Sequence, residues 1–101
     1  MAKVTWLNVA LADVEDICEF IAADSPHSAS ALGRRIFAVA KRLSTFPLSG
    51  RTVPEIESDD IREIIVANYR VMYRVLPEEV EVMAVVHGRR LFSQAFLERQ
   101  R

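Results

Sequence analysis

The 101-residue chain predicts an α+β domain: an N-terminal strand, then an antiparallel helical hairpin packed on one face of a small antiparallel β-sheet. Three observations predict it. Apolar residues between residues 9 and 44 recur at helical spacing, interrupted once by Ser25-Pro26. From Ile61 onward three runs rich in β-branched and aromatic residues follow one another across very short breaks. Half the residues are hydrophobic, enough to line one core at this length.

The elements follow in the order β-α-α-β-β-β. Lys3–Leu7 suits a short strand, and Asn8 is positioned to cap the helix that follows. In residues 9–23, Ala10, Val14, Ile17, Cys18 and Ile21 form one apolar stripe opposite Glu15, Asp16 and Glu19. Cys18 flanks that stripe as a small core residue. Ser25 followed by Pro26 is a serine cap with proline at the first helical position. The second helix extends to about Ser44 and buries Ala29, Leu32, Ile36, Ala40 and Leu43. Gly33 falls on the same side, where it costs helix stability by about 1 kcal/mol relative to alanine. Close approach of the first helix is the expected compensation. Phe46-Pro47 ends the helix, and a loop runs through Pro54 to Asp60. Ile61–Val66, Tyr69–Leu76 and Val80–His87 then form a three-stranded meander. In its middle strand Tyr69, Val71, Tyr73 and Val75 share one face, and Arg70, Met72, Arg74 and Leu76 the other. Residues 1–101 read as a single domain whose tail, 93–101, can form a short helix carrying Phe96 and Leu97.

Composition excludes several classes. No apolar run is long enough to span a bilayer, and no secretory signal is visible, so the expected compartment is the cytoplasm. One cysteine and two histidines give no disulfide framework and no basis for a structural metal; no cofactor motif is present. The net charge is −1, but its distribution is uneven. Residues 1–60 carry six basic and nine acidic side chains, and residues 61–101 seven arginines and five acids. That is too weak a cationic balance for a free nucleic-acid binder.

The arginines are the candidate chemistry. Arg70 and Arg74 share a strand face, Arg62 lies on the neighbouring strand, and Arg89 and Arg90 follow His87-Gly88. A meander can bring them together on the sheet face that the helices leave open, where their forks suit carboxylates or phosphates. The alternative is that Arg70 and Arg74 pair across the strands with Glu63 and Glu81 and merely solubilise that face. His87 is either a rim residue or a structural group bonding the turn at Gly88. His27 lies in the first turn of the second helix, at the surface.

The chain resembles the RelE/ParE superfamily of type II toxins over roughly residues 4–92. The resemblance rests on Trp6, the acidic segment Ala12–Ile17, Ser25-Pro26, Phe46-Pro47, Gly50-Arg51, Val53-Pro54-Glu55 and Ile61-Arg62-Glu63. Its most specific parts are Asn68-Tyr69-Arg70-Val71-Met72-Tyr73-Arg74-Val75 and Val86-His87-Gly88-Arg89-Arg90. It implies a toxin held inactive in a hetero-oligomer with an antitoxin encoded beside it. One branch cleaves mRNA in the ribosome; the ParE branch inhibits DNA gyrase by binding. The His-Gly-Arg-Arg ending is similar to ParE-type members. For the gyrase reading, the expected contact residues are Arg70, Arg74, His87, Arg89 and Arg90, with no catalytic residue. For the nuclease reading, the candidates are Arg70, His87, Arg90 and Glu63. The strand at Ile61–Ile65 offers no lysine, and Phe92 and Phe96 stand where a tyrosine proton donor is expected. A third reading is a non-toxic relative that only binds the antitoxin and helps to repress its operon, and a fourth is an α+β adaptor unrelated to toxins. An acidic antitoxin segment is expected near Arg34, Arg35, Arg42, Arg62 and Arg70, either adding a strand to a sheet edge or laying a helix in a groove.

Overall fold

The computed structural model describes residues 1–89; Arg90 and the tail helix expected over 93–101 lie outside the described residues. The elements are β1 (Lys3–Trp6), α1 (Asn8–Ala22), α2 (Pro26–Arg42), β2 (Arg51–Thr52), β3 (Ile61–Val66), β4 (Tyr69–Leu76) and β5 (Glu79–His87). They build the expected α+β fold, a helical hairpin on one five-stranded sheet of order β1-β5-β4-β3-β2. No helix among the described residues is long and apolar enough to cross a membrane.

The sheet is mixed rather than wholly antiparallel. β1 pairs in parallel with β5, Val4 opposite Val80 and Trp6 opposite Val82, while every other pairing is antiparallel. Parallel pairing needs a long crossover, and the two helices with β2–β4 supply it. β2 is a two-residue strand that sequence alternation cannot reveal. It lies against β3 with Arg51 opposite Glu63. Asn8 is the first helical residue rather than the cap. Leu7 occupies the cap position, and its side chain makes no capping hydrogen bond. Ser25 does cap α2, its side chain accepting from Ser28 N–H at 3.1 Å.

The hairpin closes as its sequence demands. A Cβ added at Gly33 would sit 3.4 Å from Cys18 Sγ, so the glycine admits the first helix. The Cys18 thiol in turn faces the Ala29 carbonyl at 3.6 Å. Ala10, Val14, Ile36 and Ala40 pack on Val66, Val71, Val82 and Val85, forming the core between helices and sheet. At its open end Leu43, Tyr73 and Val80 continue it. Asp13 ties α1 to the sheet by accepting from Val85 N–H at 3.0 Å.

The opposite sheet face is covered, contrary to expectation. The loop between β2 and β3 crosses it and buries Val53 and Ile56 against Ile61, Met72, Met83, Ala84 and Val86. A register shift at Met72/Tyr73 gives β5 one extra residue and places Met83 beside this second core. The domain therefore has three layers: helices, sheet and a loop strap.

Candidate functional site

Alternation places Ile61, Glu63 and Ile65 of β3 on the strap side of the sheet together with Arg70, Met72 and Arg74 of β4. Glu63 lies opposite Arg51 on one flank and Met72 on the other. Its carboxylate therefore sits between two guanidinium groups. Arg51 Nε donates to Oε2 at 2.7 Å and Arg70 Nε to Oε1 at 2.5 Å. Arg70 spends its remaining fork on the strap: Nη1 and Nη2 donate to the two carboxylate oxygens of Glu55 at 2.7 and 2.8 Å. Glu63 is 1% exposed and Arg70 3%. The Glu55 hydrogen bonds push the Arg70 pKa above its ordinary value and, with those from Glu63, outweigh the opposing effect of burial. Arg70 is thus a bidentate clasp between sheet and strap.

This corrects the expected arginine cluster. The face is not open, and Arg70 is a buried ion-pair partner rather than a free cation. Arg62 stands opposite Tyr73, on the helix side of β3. There it braces the two ends of the long loop, donating from Nη1 to the Gly50 carbonyl at 2.9 Å and from Nε to the Asp59 carbonyl at 3.0 Å. It shares no surface with Arg70. Arg74 is half-buried and lies opposite Glu81 in register. The Arg70–Glu63 pair of the cross-strand alternative forms, but both groups are buried under the strap rather than solubilising an open face.

His87 and Arg89 remain exposed at the end of β5. Gly88 N–H donates to the Asn68 carbonyl at 2.7 Å, which folds the chain back over the β3–β4 turn. Arg89 N–H donates to His87 Nδ1 at 3.2 Å, and the Tyr69 ring meets the imidazole edge-on at 5.9 Å. The imidazole thus accepts from the backbone of the turn that follows β5. Arg90, the next residue, lies outside the described residues. Arg34, Arg35 and Arg42 are all exposed along α2, which contains no acidic residue.

Three participants escape sequence reasoning. Arg51 and Glu55 are reached only through the strap's path, for which the sequence carries no signal. Tyr73 anchors the other end of the loop, its hydroxyl accepting from Gly50 N–H at 2.9 Å and donating to the Pro47 carbonyl at 2.8 Å. Its position on the helix face of β4 was legible, but its partners were not.

The comparisons with known proteins bear on this arrangement. A family model described as the ParE toxin of the type II toxin–antitoxin system parDE matches residues 4–92. The chain belongs to the ParE toxin family. A curated relative, Toxin RelE2 of Caulobacter vibrioides, is 32% identical over 92 residues, covering 90% of this chain and all of the relative. A solved chain of the chromosomal ParDE toxin–antitoxin system from P. aeruginosa superposes with a TM-score of 0.71 at 20% identity. That match covers 86% of this chain and 96% of the solved one, and it shows the shared fold. This ParE-family protein is a type II toxin, with an antitoxin as its partner.

Proposed function

We propose that this ParE-family toxin arrests growth by binding and inhibiting DNA gyrase in the cytoplasm, and that it performs no chemistry of its own. The observation that carries the reading is the state of Arg70. Cleavage of RNA through the 2′-hydroxyl needs a proton acceptor, free cations for the phosphorane and a proton donor for the leaving oxygen. Arg70, the strand arginine a nuclease would use, is held by two carboxylates and shielded from solvent. Glu63, the proton acceptor in that scheme, is the other half of the same pair. Freeing either would strand a buried charge, at a cost of about 3–5 kcal/mol.

A binding function needs only exposed groups of suitable charge. His87 and Arg89 supply them at the end of β5, with Arg90 following in sequence and Arg74 half-buried on β4. The cationic side of α2, with Arg34, Arg35 and Arg42, suits an acidic antitoxin segment. Arg62 and Arg70, committed to internal bonds, are dropped from that surface.

Purified toxin is tested in a gyrase supercoiling assay beside a ribosome-dependent mRNA cleavage assay. Inhibition of supercoiling with mRNA intact is expected. Ribosome-dependent mRNA cuts without inhibition of gyrase would overturn the reading in favour of the nuclease branch. Unimpaired growth on overexpression would overturn it in favour of a non-toxic co-repressor.

A further inference from the structure

We propose that the outer face of the helical hairpin, along the groove where α1 meets α2, binds a second copy of this chain, with α1 of each copy lying on α2 of the other. The inference does not rest on the gyrase reading, because it follows from the charges and apolar groups of this one face.

The two helices divide the charge between them. α1 holds Asp13, Glu15, Asp16 and Glu19 and no basic residue, whereas α2 holds Arg34, Arg35, Lys41 and Arg42 and no acid. Ser30, Arg34, Phe37 and Lys41 recur at four- and three-residue spacing and so share one side of α2. Arg35 and Arg42, seven apart, share another. Leu11, Glu15, Cys18 and Ala22 share one side of α1 by the same spacing. Glu15, Glu19, Arg34 and Lys41 are all exposed, and among the described residues none of the four has an ion-pair partner.

Between these two charged rows runs a groove of about 400 Å³, lined by Glu15, Cys18, Glu19, Ala29, Ser30 and Gly33, and the surface it exposes is almost all apolar. Leu11, 40% exposed, and Phe37, 44% exposed, continue its two banks towards β1, where Phe37 packs on Trp6 with ring centroids 4.8 Å apart. The register across the groove is fixed at Gly33, where an added Cβ would stand 3.4 Å from Cys18 Sγ. The helices are antiparallel, so Glu15, one turn before Cys18, lies level with the turn Arg34–Phe37.

Such a face is its own complement. A wholly acidic segment would meet Glu15 and Glu19, and a wholly basic one Arg34 and Lys41. The surface that matches both rows carries an acidic and a basic helix side by side, as this hairpin does. A two-fold axis along the groove sets α1 on α2 of a second copy, with Glu15 against the Arg34 turn, and closes a four-helix bundle over both grooves. A two-fold axis across the groove would set acid on acid and base on base. Charge therefore selects the first arrangement.

Sedimentation equilibrium on the purified toxin tests it, with Glu15→Arg, Arg34→Glu and the double variant Glu15→Arg/Arg34→Glu. Wild type is expected to pass from one chain to two between about 1 µM and 1 mM. Each single reversal sets like charges together twice in the dimer and weakens association by at least about tenfold. The double variant exchanges the signs at that contact and returns to within about threefold of wild type. Wild type that stays a single chain up to about 1 mM, or a dimer that neither reversal weakens, overturns the proposal and leaves the toxin assignment standing. Cys18, the chain's only cysteine, gives a readout that needs no variant. Its alkylation should slow as the dimer forms over the same concentrations. A thiol shielded equally at every concentration in a single chain overturns the proposal and assigns the groove to the chain's own residues 90–101. A thiol shielded only on adding an antitoxin overturns it in favour of that partner. If one reversal does not fold, the thiol profile and the other reversal decide.

Discussion

Replacing Arg70 by methionine should unfold this domain far more readily than removing a surface arginine would. The substitution deletes the Nε bond to Glu63 and both fork bonds to Glu55. Glu55, whose side chain is 18% exposed, regains water by turning outward. Glu63 cannot, because its side chain is fully buried and its remaining partner is the solvent-facing guanidinium of Arg51. Breaking a buried pair from one side costs about 3–5 kcal/mol. The escape of Glu55 and the residual Arg51 contact put this case near the lower end, about 3 kcal/mol. With an m-value of about 1.5–2 kcal/mol per molar urea, the midpoint should fall by about 2 M. The double variant Arg70→Met/Glu63→Leu replaces both buried charges by apolar groups and should recover most of that loss, because a pair removed together strands nothing. Urea unfolding followed by circular dichroism reads both numbers. A loss below about 1 kcal/mol in the single variant, or a double variant no better than the single, would refute the buried-clasp account.

Gly50→Ala should lower stability by about 1–3 kcal/mol or more, since its Cβ would lie 2.6 Å from both the Glu63 carbonyl and the Tyr73 hydroxyl; thermal unfolding checks it. Burial raises the Tyr73 pKa despite the opposing Gly50 hydrogen bond. The unfolded chain therefore loses this proton first, and stability should fall as pH rises above the ordinary tyrosine value of about 10. Tyr73→Phe should flatten that part of the stability-against-pH curve while costing about 1–3 kcal/mol at neutral pH. Ala67→Gly should raise stability by about 0.5–1 kcal/mol, because Ala67 holds φ at 53° in the β3–β4 turn; a rise in urea midpoint at unchanged m-value would show it.

Local signals carried the elements whose causes are local. β3 and β4 begin and end where alternation and the Ala67-Asn68 break put them, and β5 starts one residue earlier, at Glu79. Ser25-Pro26 opened α2 because cap and proline act within one turn, and Gly33 announced its helix contact because a glycine on a buried helix face needs a close neighbour. What escaped is tertiary. β2 exists because Arg51 meets Glu63, the strap lies down because Glu55 meets Arg70, and β1 runs parallel to β5 because two helices return the chain to the far edge. The candidate site divides the same way. Arg70 and Arg74 were placed on the correct face, but alternation cannot say what covers a face. The strap's Val53 and Ile56 turned the supposed open surface into a second core. Arg62 was counted with the wrong side for want of a register, which the opposition of Arg62 and Tyr73 supplies.

The central claim is that Arg70 and Glu63 hold the fold together and take no part in the toxic act. The most direct measurement is gyrase supercoiling inhibition by the double variant Arg70→Met/Glu63→Leu, compared with wild type at equal concentrations of folded protein. The account predicts equal inhibition. A folded double variant that no longer inhibits gyrase would contradict it.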